Sequence, residues 1–102
     1  MKNIILICAA GMSTSLLVNK MKSAAKEQGK DVHIEAMPAN AFSTYKENVD
    51  VLLLGPQINY LHDEMKEKYE PQGIKVAVIE MMDYGMMNGK KVLEDAYRMM
   101  GE

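Results

Sequence analysis

The chain is poor in cysteine and aromatic residues. Its 102 residues include one cysteine, one phenylalanine and no tryptophan. A single cysteine excludes an internal disulfide and any zinc site built on several cysteines. Two interpretations of that cysteine are left, an inert thiol in the core and a chemically active one.

The sequence also lacks an excess of charge and a long apolar run. Twelve Lys and Arg against fourteen Asp and Glu give a net charge of −2, without the basic footprint of a nucleic-acid-binding protein. The apolar runs are far shorter than the roughly 18 residues of a membrane span, so we expect no membrane insertion. The amino-terminal residues lack the pattern of a signal peptide, which predicts a cytoplasmic protein. The length fits one domain over residues 1–102.

Four apolar runs rich in β-branched residues alternate with helical patterns, as is typical of an α/β fold with a parallel sheet and helices on both faces. The predicted strands are Ile4 to Cys8, Val32 to Met37, Val49 to Leu54 and Ile74 to Ile79.

The polar residues within these runs predict the strand order. The first run is apolar at every position from Ile4 to Ile7, and the third at every position from Val51 to Leu54, as strands covered on both faces must be. The second contains His33 and Glu35, and the fourth contains Lys75, which is typical of edge strands. The expected order is 2-1-3-4, a flavodoxin-like winding whose ligand site lies between the carboxyl ends of strands one and three.

Four helical patterns connect and follow these strands. The first runs from Ser13 or Thr14 to Gln28, with Gly29 as a left-handed stop. A short helix covers Asn40 to Glu47, with Asn40 as its cap, and a longer one covers Ile58 to Tyr69 and ends before Pro71 and Gly73. The last runs from Asn88 or Gly89 to Met100.

The loop after the first strand joins a cysteine to the start of a helix. Unpaired N–H groups and the helix dipole make such a helix start attractive to anions, and three consecutive hydroxyls add donors. The same field favours a thiolate. A small buried cysteine beside an ordinary helix cap is the plainer interpretation, but packing does not require small residues, a glycine and three hydroxyls together. We therefore predict Cys8 as a nucleophile beside a phosphate cradle of Ala9, Ala10, Gly11, Met12, Ser13, Thr14 and Ser15.

This loop carries a family resemblance. Cys8 to Leu17 resembles the phosphocysteine loop of the IIB component of the lactose/cellobiose (or chitobiose) class of sugar phosphotransferase systems. Leu53 to Ile58 and the Tyr84-Gly85 pair ahead of Gly89 follow in the family's order. The resemblance implies a phosphotransferase in sugar uptake that takes a phosphoryl group on Cys8 from a phosphohistidine of a IIA protein. It passes the group to a sugar of cellobiose, lactose or chitobiose type carried by the membrane IIC protein, and the sequence does not identify that sugar.

Two other classes of protein share parts of this pattern. A low-molecular-weight phosphatase or arsenate reductase could use Asp83 as a general acid. However, Thr14 stands six residues after Cys8, where a phosphatase loop has arginine, and a reductase would need further cysteines. An FMN-binding, flavodoxin-like carrier would need more aromatic residues to stack on the flavin.

Three smaller features leave their interpretation open. Gln57 either offers its amide to the phosphate or belongs to a helix start after Pro56. Tyr84 either lines the site from the loop after strand four or packs in the core. Met12 and the methionines between positions 81 and 87 either form an adaptable docking face or fill the core. His33 and His62 are expected at the surface, and no metal or cofactor is predicted.

Overall fold

The sheet has four parallel strands in the order β2-β1-β3-β4, which confirms the predicted topology. The computed structural model describes residues 1–8 and 14–101. The strands are β1 (Lys2–Ile7), β2 (Val32–Met37), β3 (Val51–Leu54) and β4 (Lys75–Val78). β2 matches its predicted bounds. The other three strands differ from their predicted bounds by one or two residues, β1 and β4 at both ends and β3 at its start.

All four strands finish at the same level. Ile7 of the central strand is in register with Met37 of β2 and with Leu54 of β3, and Leu54 is in register with Val78. The residue that follows Ile7 therefore lies at the carboxyl edge, between the ends of the neighbouring strands.

In the described part of the chain, five α-helices and two short 3₁₀ helices connect or follow the strands. The α-helices are α1 (Thr14–Glu27), α2 (Ala39–Phe42), α3 (His62–Tyr69), α4 (Met81–Gly85) and α5 (Gly89–Met99). The 3₁₀ helices cover Pro56–Leu61 and Glu70–Gln72. Within residues 1–8 and 14–101, no helix has the length and apolarity needed to cross a membrane.

Alternating side chains of the central strands divide the core between the two faces of the sheet. Ile4 and Leu6 pack with residues of α1, α4 and α5, whereas Ile5 and Ile7 pack with residues of α2, α3 and the 3₁₀ helix between β3 and α3. Because each face of β1 is covered, every position from Ile4 to Ile7 has to be apolar. This confirms the prediction of helices on both faces.

The first and last helices lie close to their predicted bounds. α1 ends at Glu27, and Gly29 takes the expected left-handed conformation with φ of 67°. α5 is capped by Asn88, whose Oδ1 accepts a hydrogen bond from the Lys91 N–H at 3.2 Å.

The helix predicted from Asn40 to Glu47 is wrong in extent and in its cap. The observed helix, α2, covers only four residues and begins after Pro38. The hydroxyls of Ser43 and Thr44 donate to the carbonyls of Asn40 and Ala41, at 2.7 and 3.1 Å. Such bonds to nearby carbonyls compete with helical propagation, and the segment continues as turns.

The helix predicted from Ile58 to Tyr69 is divided in two. Ile58 leaves helical geometry, with φ of −120° and ψ of 30°, inside the 3₁₀ helix that precedes α3. Its side chain is buried in the core on that face of the sheet. Packing of Ile58 therefore prevails over a continuous α-helix.

Gly89 allows α1 and α5 to approach closely. A Cβ atom at this position would lie 2.5 Å from the carbonyl carbon of Lys20 and 2.6 Å from the nitrogen of Met21. These are backbone atoms, so the contact cannot be relieved by a side-chain rotation. The start of α5 fits against α1 only because residue 89 has no side chain.

We predict that Gly89→Ala lowers the free energy of unfolding by about 1–3 kcal/mol, as expected for overpacking. Gly85→Ala is the matched control, because a Cβ at Gly85 would meet no atom within 4 Å. Urea denaturation of the two variants checks this. Equal stability of the two variants would contradict the steric argument.

Candidate functional site

The cysteine is held at the carboxyl edge by hydrogen bonds on both sides of its strand. The Cys8 N–H donates to the Met37 carbonyl at 3.2 Å, and the Gly55 N–H donates to the Ile7 carbonyl at 3.0 Å. These bonds extend the pairing of β1 by one residue toward β2 and toward β3. Cys8 is half-buried, and its position after β1 confirms the predicted placement between the ends of strands one and three.

The face of the sheet to which Cys8 belongs follows from strand alternation. Cys8 comes two residues after Leu6, which packs on the face covered by α1, α4 and α5. Because side chains repeat every two residues along a strand, Cys8 shares that face. Leu17 of α1 and Tyr84 of α4 pack on the same face of the sheet.

The structure describes two of the seven residues of the predicted phosphate cradle, Thr14 and Ser15. Ala9, Ala10, Gly11, Met12 and Ser13 lie outside the described residues, so their role in binding phosphate stays a prediction. Of the other two, Ser15 is exposed at the start of α1, whereas Thr14 is 2% exposed.

Thr14 and Tyr84 form a buried pair of hydroxyls. Their oxygen atoms are 3.3 Å apart, and Tyr84 is 6% exposed. Tyr84 was expected in a loop, but it lies in α4, a helix that the sequence analysis missed. Its ring packs in the core while its hydroxyl reaches the first residue of α1, so the two interpretations of Tyr84, packing and lining the site, are not exclusive.

Gln57 lies at the same edge on the β3 side. Pro56 opens a 3₁₀ helix, as the helix-start interpretation predicts. The exposed side chain of Gln57 turns back, because its Oε1 lies 3.2 Å from the point where a Cβ on Gly55 would stand. The amide of Gln57 is thus near Gly55, whose N–H donates to the Ile7 carbonyl. A contact between Gln57 and phosphate stays a prediction.

Asp83 is committed to an ion-pair network between α4 and α5. Lys91 Nζ lies 3.4 Å from Asp83 Oδ2 and 2.9 Å from Asp95 Oδ2. The hydrogen bond to Asp95, and secondarily the bond to Asp83, raise the pKa of Lys91 above its usual value of 10.5. The contact with Lys91 holds the Asp83 side chain toward α5, which weighs against Asp83 as a general acid over the cysteine.

The chain has a single arginine, Arg98. It belongs to the last turn of α5 and pairs with Asp95 at 3.1 Å. The guanidinium is therefore bound to a carboxylate, and Thr14 stands at the sixth position after Cys8, where a phosphatase loop has arginine.

Exposed apolar side chains surround the carboxyl edge. Met81 and Met82 of α4 and Met86, which caps its carboxyl end, are 74%, 73% and 71% exposed, and Leu16 in the first turn of α1 and Tyr60 after β3 are also exposed. For these three methionines core filling is therefore wrong, whereas Met87 packs against the core.

Together these features define a class of protein. It is a parallel α/β domain with a single, half-buried cysteine at the end of its central strand, six residues before the first residue of a helix. The comparisons then identify the family. Residues 3–95 match the model of the lactose/cellobiose-specific IIB subunit of the phosphotransferase system, and the chain belongs to this family. It is a phosphotransferase component that relays phosphoryl groups in sugar uptake.

Relatives cover almost the whole chain. The galactose-specific EIIB component of Lactococcus lactis subsp. cremoris is 49% identical over 104 residues, which span 97% of this chain and 96% of the relative. The solution structure of a cellobiose-specific IIB component from Borrelia burgdorferi has a TM-score of 0.80 and 39% identity, over 98% of this chain and 92% of that one. A lactose-specific EIICB component of Streptococcus mutans is 30% identical over 82 residues, 80% of this chain but only 14% of the much longer relative.

The Lys91 network generates a prediction about pH. Lys91→Met should lower the midpoint of thermal unfolding at pH 7, because it leaves Asp83 without its ammonium partner. Since the folded-state pKa of Lys91 is raised, its contribution is fully present below pH 10.5 and is lost as the pH rises through that higher value. The difference from the unaltered protein should therefore shrink above pH 10.5. Lys90→Met, a change at the exposed neighbouring lysine, is the control, and an equal effect at pH 7 would count against the network.

Proposed function

We propose that Cys8 accepts a phosphoryl group from the phosphohistidine of a IIA protein and passes it to a sugar bound by a membrane IIC protein, on the cytoplasmic side. The observation that carries this proposal is the position of half-buried Cys8 at the end of the central strand, where its N–H donates to Met37 of β2 and the preceding carbonyl, of Ile7, accepts from Gly55 after β3. Phosphoryl transfer depends mainly on positioning and charge stabilisation. A rigid strand end beside a helix start supplies positioning for the sulfur.

In the first step the phosphoryl group moves from nitrogen to sulfur. The Cys8 sulfur attacks phosphorus, an S–P bond forms, and the N–P bond of the phosphohistidine breaks. The bonding electrons stay on the imidazole nitrogen, which takes up the proton that the thiol gave up. The products are a phosphocysteine and a neutral histidine.

In the second step the phosphoryl group moves from sulfur to oxygen. A sugar hydroxyl attacks phosphorus as the S–P bond breaks, and its proton leaves to the departing sulfur or to solvent. The names of the relatives include galactose, cellobiose and lactose, so we propose a sugar of this range without choosing among them. The EIICB relative joins a IIC and a IIB part in one chain, which supports the IIC protein as the acceptor's carrier.

The charges around the site favour transfer over hydrolysis. The single arginine pairs with Asp95, and Thr14 occupies the sequence position where a phosphatase loop has its arginine. Neutral donors hold a phosphoryl group with less activation toward water than a bidentate guanidinium would. A phosphocysteine in this setting should survive until a sugar arrives.

The proposed docking face for the IIA protein consists of three exposed methionines in and just after α4, Met81, Met82 and Met86. Both partners have to reach the sulfur of Cys8, so their footprints overlap and they compete. Met81, Met82 and Met86 lie at the edge that the donor must approach, and unbranched thioethers adapt to unlike surfaces. Met12, the docking residue favoured by the sequence, lies outside the described residues.

We predict that Cys8→Ser folds but accepts no phosphoryl group. A hydroxyl ionises far less readily than a thiol, so the serine oxygen should not replace the sulfur as a nucleophile. Incubation with a phosphorylated IIA protein of this class, followed by mass spectrometry of peptides, should find phosphate on Cys8 of the unaltered protein only. Thermal unfolding checks that the variant is folded, and normal sugar phosphorylation by it would refute the assignment.

We also predict that replacing Met81, Met82 and Met86 together by glutamine raises the KM for phosphorylated IIA by about tenfold or more. Burying even part of each side chain contributes about 1 kcal/mol, and glutamine forfeits most of that. The thermal midpoint should stay within a few degrees, because these side chains are exposed. Met100→Gln, at the far end of the chain, is the control. An unchanged KM with the triple variant would remove α4 from the docking face.

A further inference from the structure

The pair of hydroxyls between α1 and α4 has a feature that packing alone does not require. Thr14 is buried at the first position of α1, six residues after Cys8, and its Oγ1 lies 3.3 Å from the hydroxyl of Tyr84. Burying a hydroxyl without a hydrogen-bond partner costs free energy, so an apolar side chain is more favourable where only packing is required. Valine would fill the same volume as Thr14.

The bond between the two hydroxyls uses only one of their two protons. Either hydroxyl could be the donor across this distance, and we assign Tyr84 as the donor and the oxygen of Thr14 as the acceptor because a phenol is more acidic than an aliphatic alcohol. The proton of Thr14 then remains to be donated elsewhere. Accepting a hydrogen bond strengthens a hydroxyl as a donor, because hydrogen bonds in a chain polarise one another.

Hydrogen bonds and core packing hold Tyr84 in place. Its N–H donates to the Glu80 carbonyl at 2.9 Å, and its ring packs in the core beneath α1 and α5. The neighbouring Asp83 accepts from Lys91 at 3.4 Å, and the Asp83 carbonyl accepts from the Asn88 N–H at 2.9 Å. A phenol fixed by its own helix and by its ties to α5 can hold a second hydroxyl in one orientation.

We infer that Tyr84 is a positioning residue, which orients the Thr14 hydroxyl so that it donates to the phosphoryl group on Cys8. The inference rests on the proposed function of Cys8 and extends it to a pair of residues 70 positions apart in the chain. Cys8 shares the face of the sheet on which Thr14 and Tyr84 meet. In a site without a guanidinium, an oriented neutral donor has more weight than it would beside an arginine.

The experiment is a double-mutant cycle on Thr14→Val and Tyr84→Phe, with rates of transfer from phosphorylated IIA and of phosphocysteine loss as readouts. Thr14→Val should slow acceptance about tenfold or more, as expected for a hydrogen bond to a charged group, and Tyr84→Phe about three- to tenfold. If Tyr84 acts through Thr14, Tyr84→Phe should have no further effect in the Thr14→Val background. Thr14→Ser keeps the hydroxyl and should restore most of the rate.

Tyr69→Phe is the matched control. Tyr69 is a similarly buried tyrosine in the cluster on the opposite face of the sheet, so the change removes the same atom without touching α1. It should leave both rates unchanged. A structural role of Tyr84 alone would lower the thermal midpoint and leave the rates untouched, which would overturn the inference.

The outcomes separate this inference from the proposed function. Phosphate found on Cys8 together with additive effects of the two changes, or with none, overturns the role of Tyr84 and leaves the acceptor assignment intact. Phosphate found on another residue overturns both. Loss of the Tyr84→Phe effect in the Thr14→Val background, with phosphate on Cys8, supports both.

Discussion

The pairing of β1 with β2 and β3 is the constraint on which the site depends. Ile4 to Ile7 are buried on both faces, and the hydrogen bonds continue past Ile7 through the Cys8 N–H and the Ile7 carbonyl. A slip of one residue would turn every side chain of β1 to the other face. The apolar run therefore does more than fill the core. It determines which face of the sheet Cys8 shares and at what level the sulfur stands.

The same constraint explains why the architecture could be predicted from the sequence. Apolar runs without polar interruptions identified the two central strands, and His33, Glu35 and Lys75 marked the edges. The long helices were predictable because three or four turns show a clear period. α4 was missed because five residues are too few to show one. The helix predicted from Asn40 to Glu47 was too long, because hydroxyls of this segment donate to its own carbonyls.

The candidate site divides in the same way between local and distant causes. Cys8 could be placed from the sequence because its position follows from the strand that precedes it. The contact between Thr14 and Tyr84 could not, because it depends on where α4 packs after the chain has formed three more strands. Both residues were recognisable as candidates by chemistry. Their juxtaposition is a tertiary fact, and so is the pairing of Asp83 with Lys91, which weighs against the phosphatase alternative.

A relay places opposing demands on its acceptor residue. The phosphoryl group must be held well enough to leave a histidine, yet loosely enough to leave again for a sugar. A guanidinium would strengthen the first requirement at the expense of the second, because it stabilises the charge on the equatorial oxygens in every state. Backbone N–H groups and oriented hydroxyls are weaker donors and carry no net charge. Arg98 is bound to Asp95 and Lys91 to Asp83 and Asp95, so two of the three cations of α5 are engaged in ion pairs, and the proposed acceptor is left to neutral donors of its own loop.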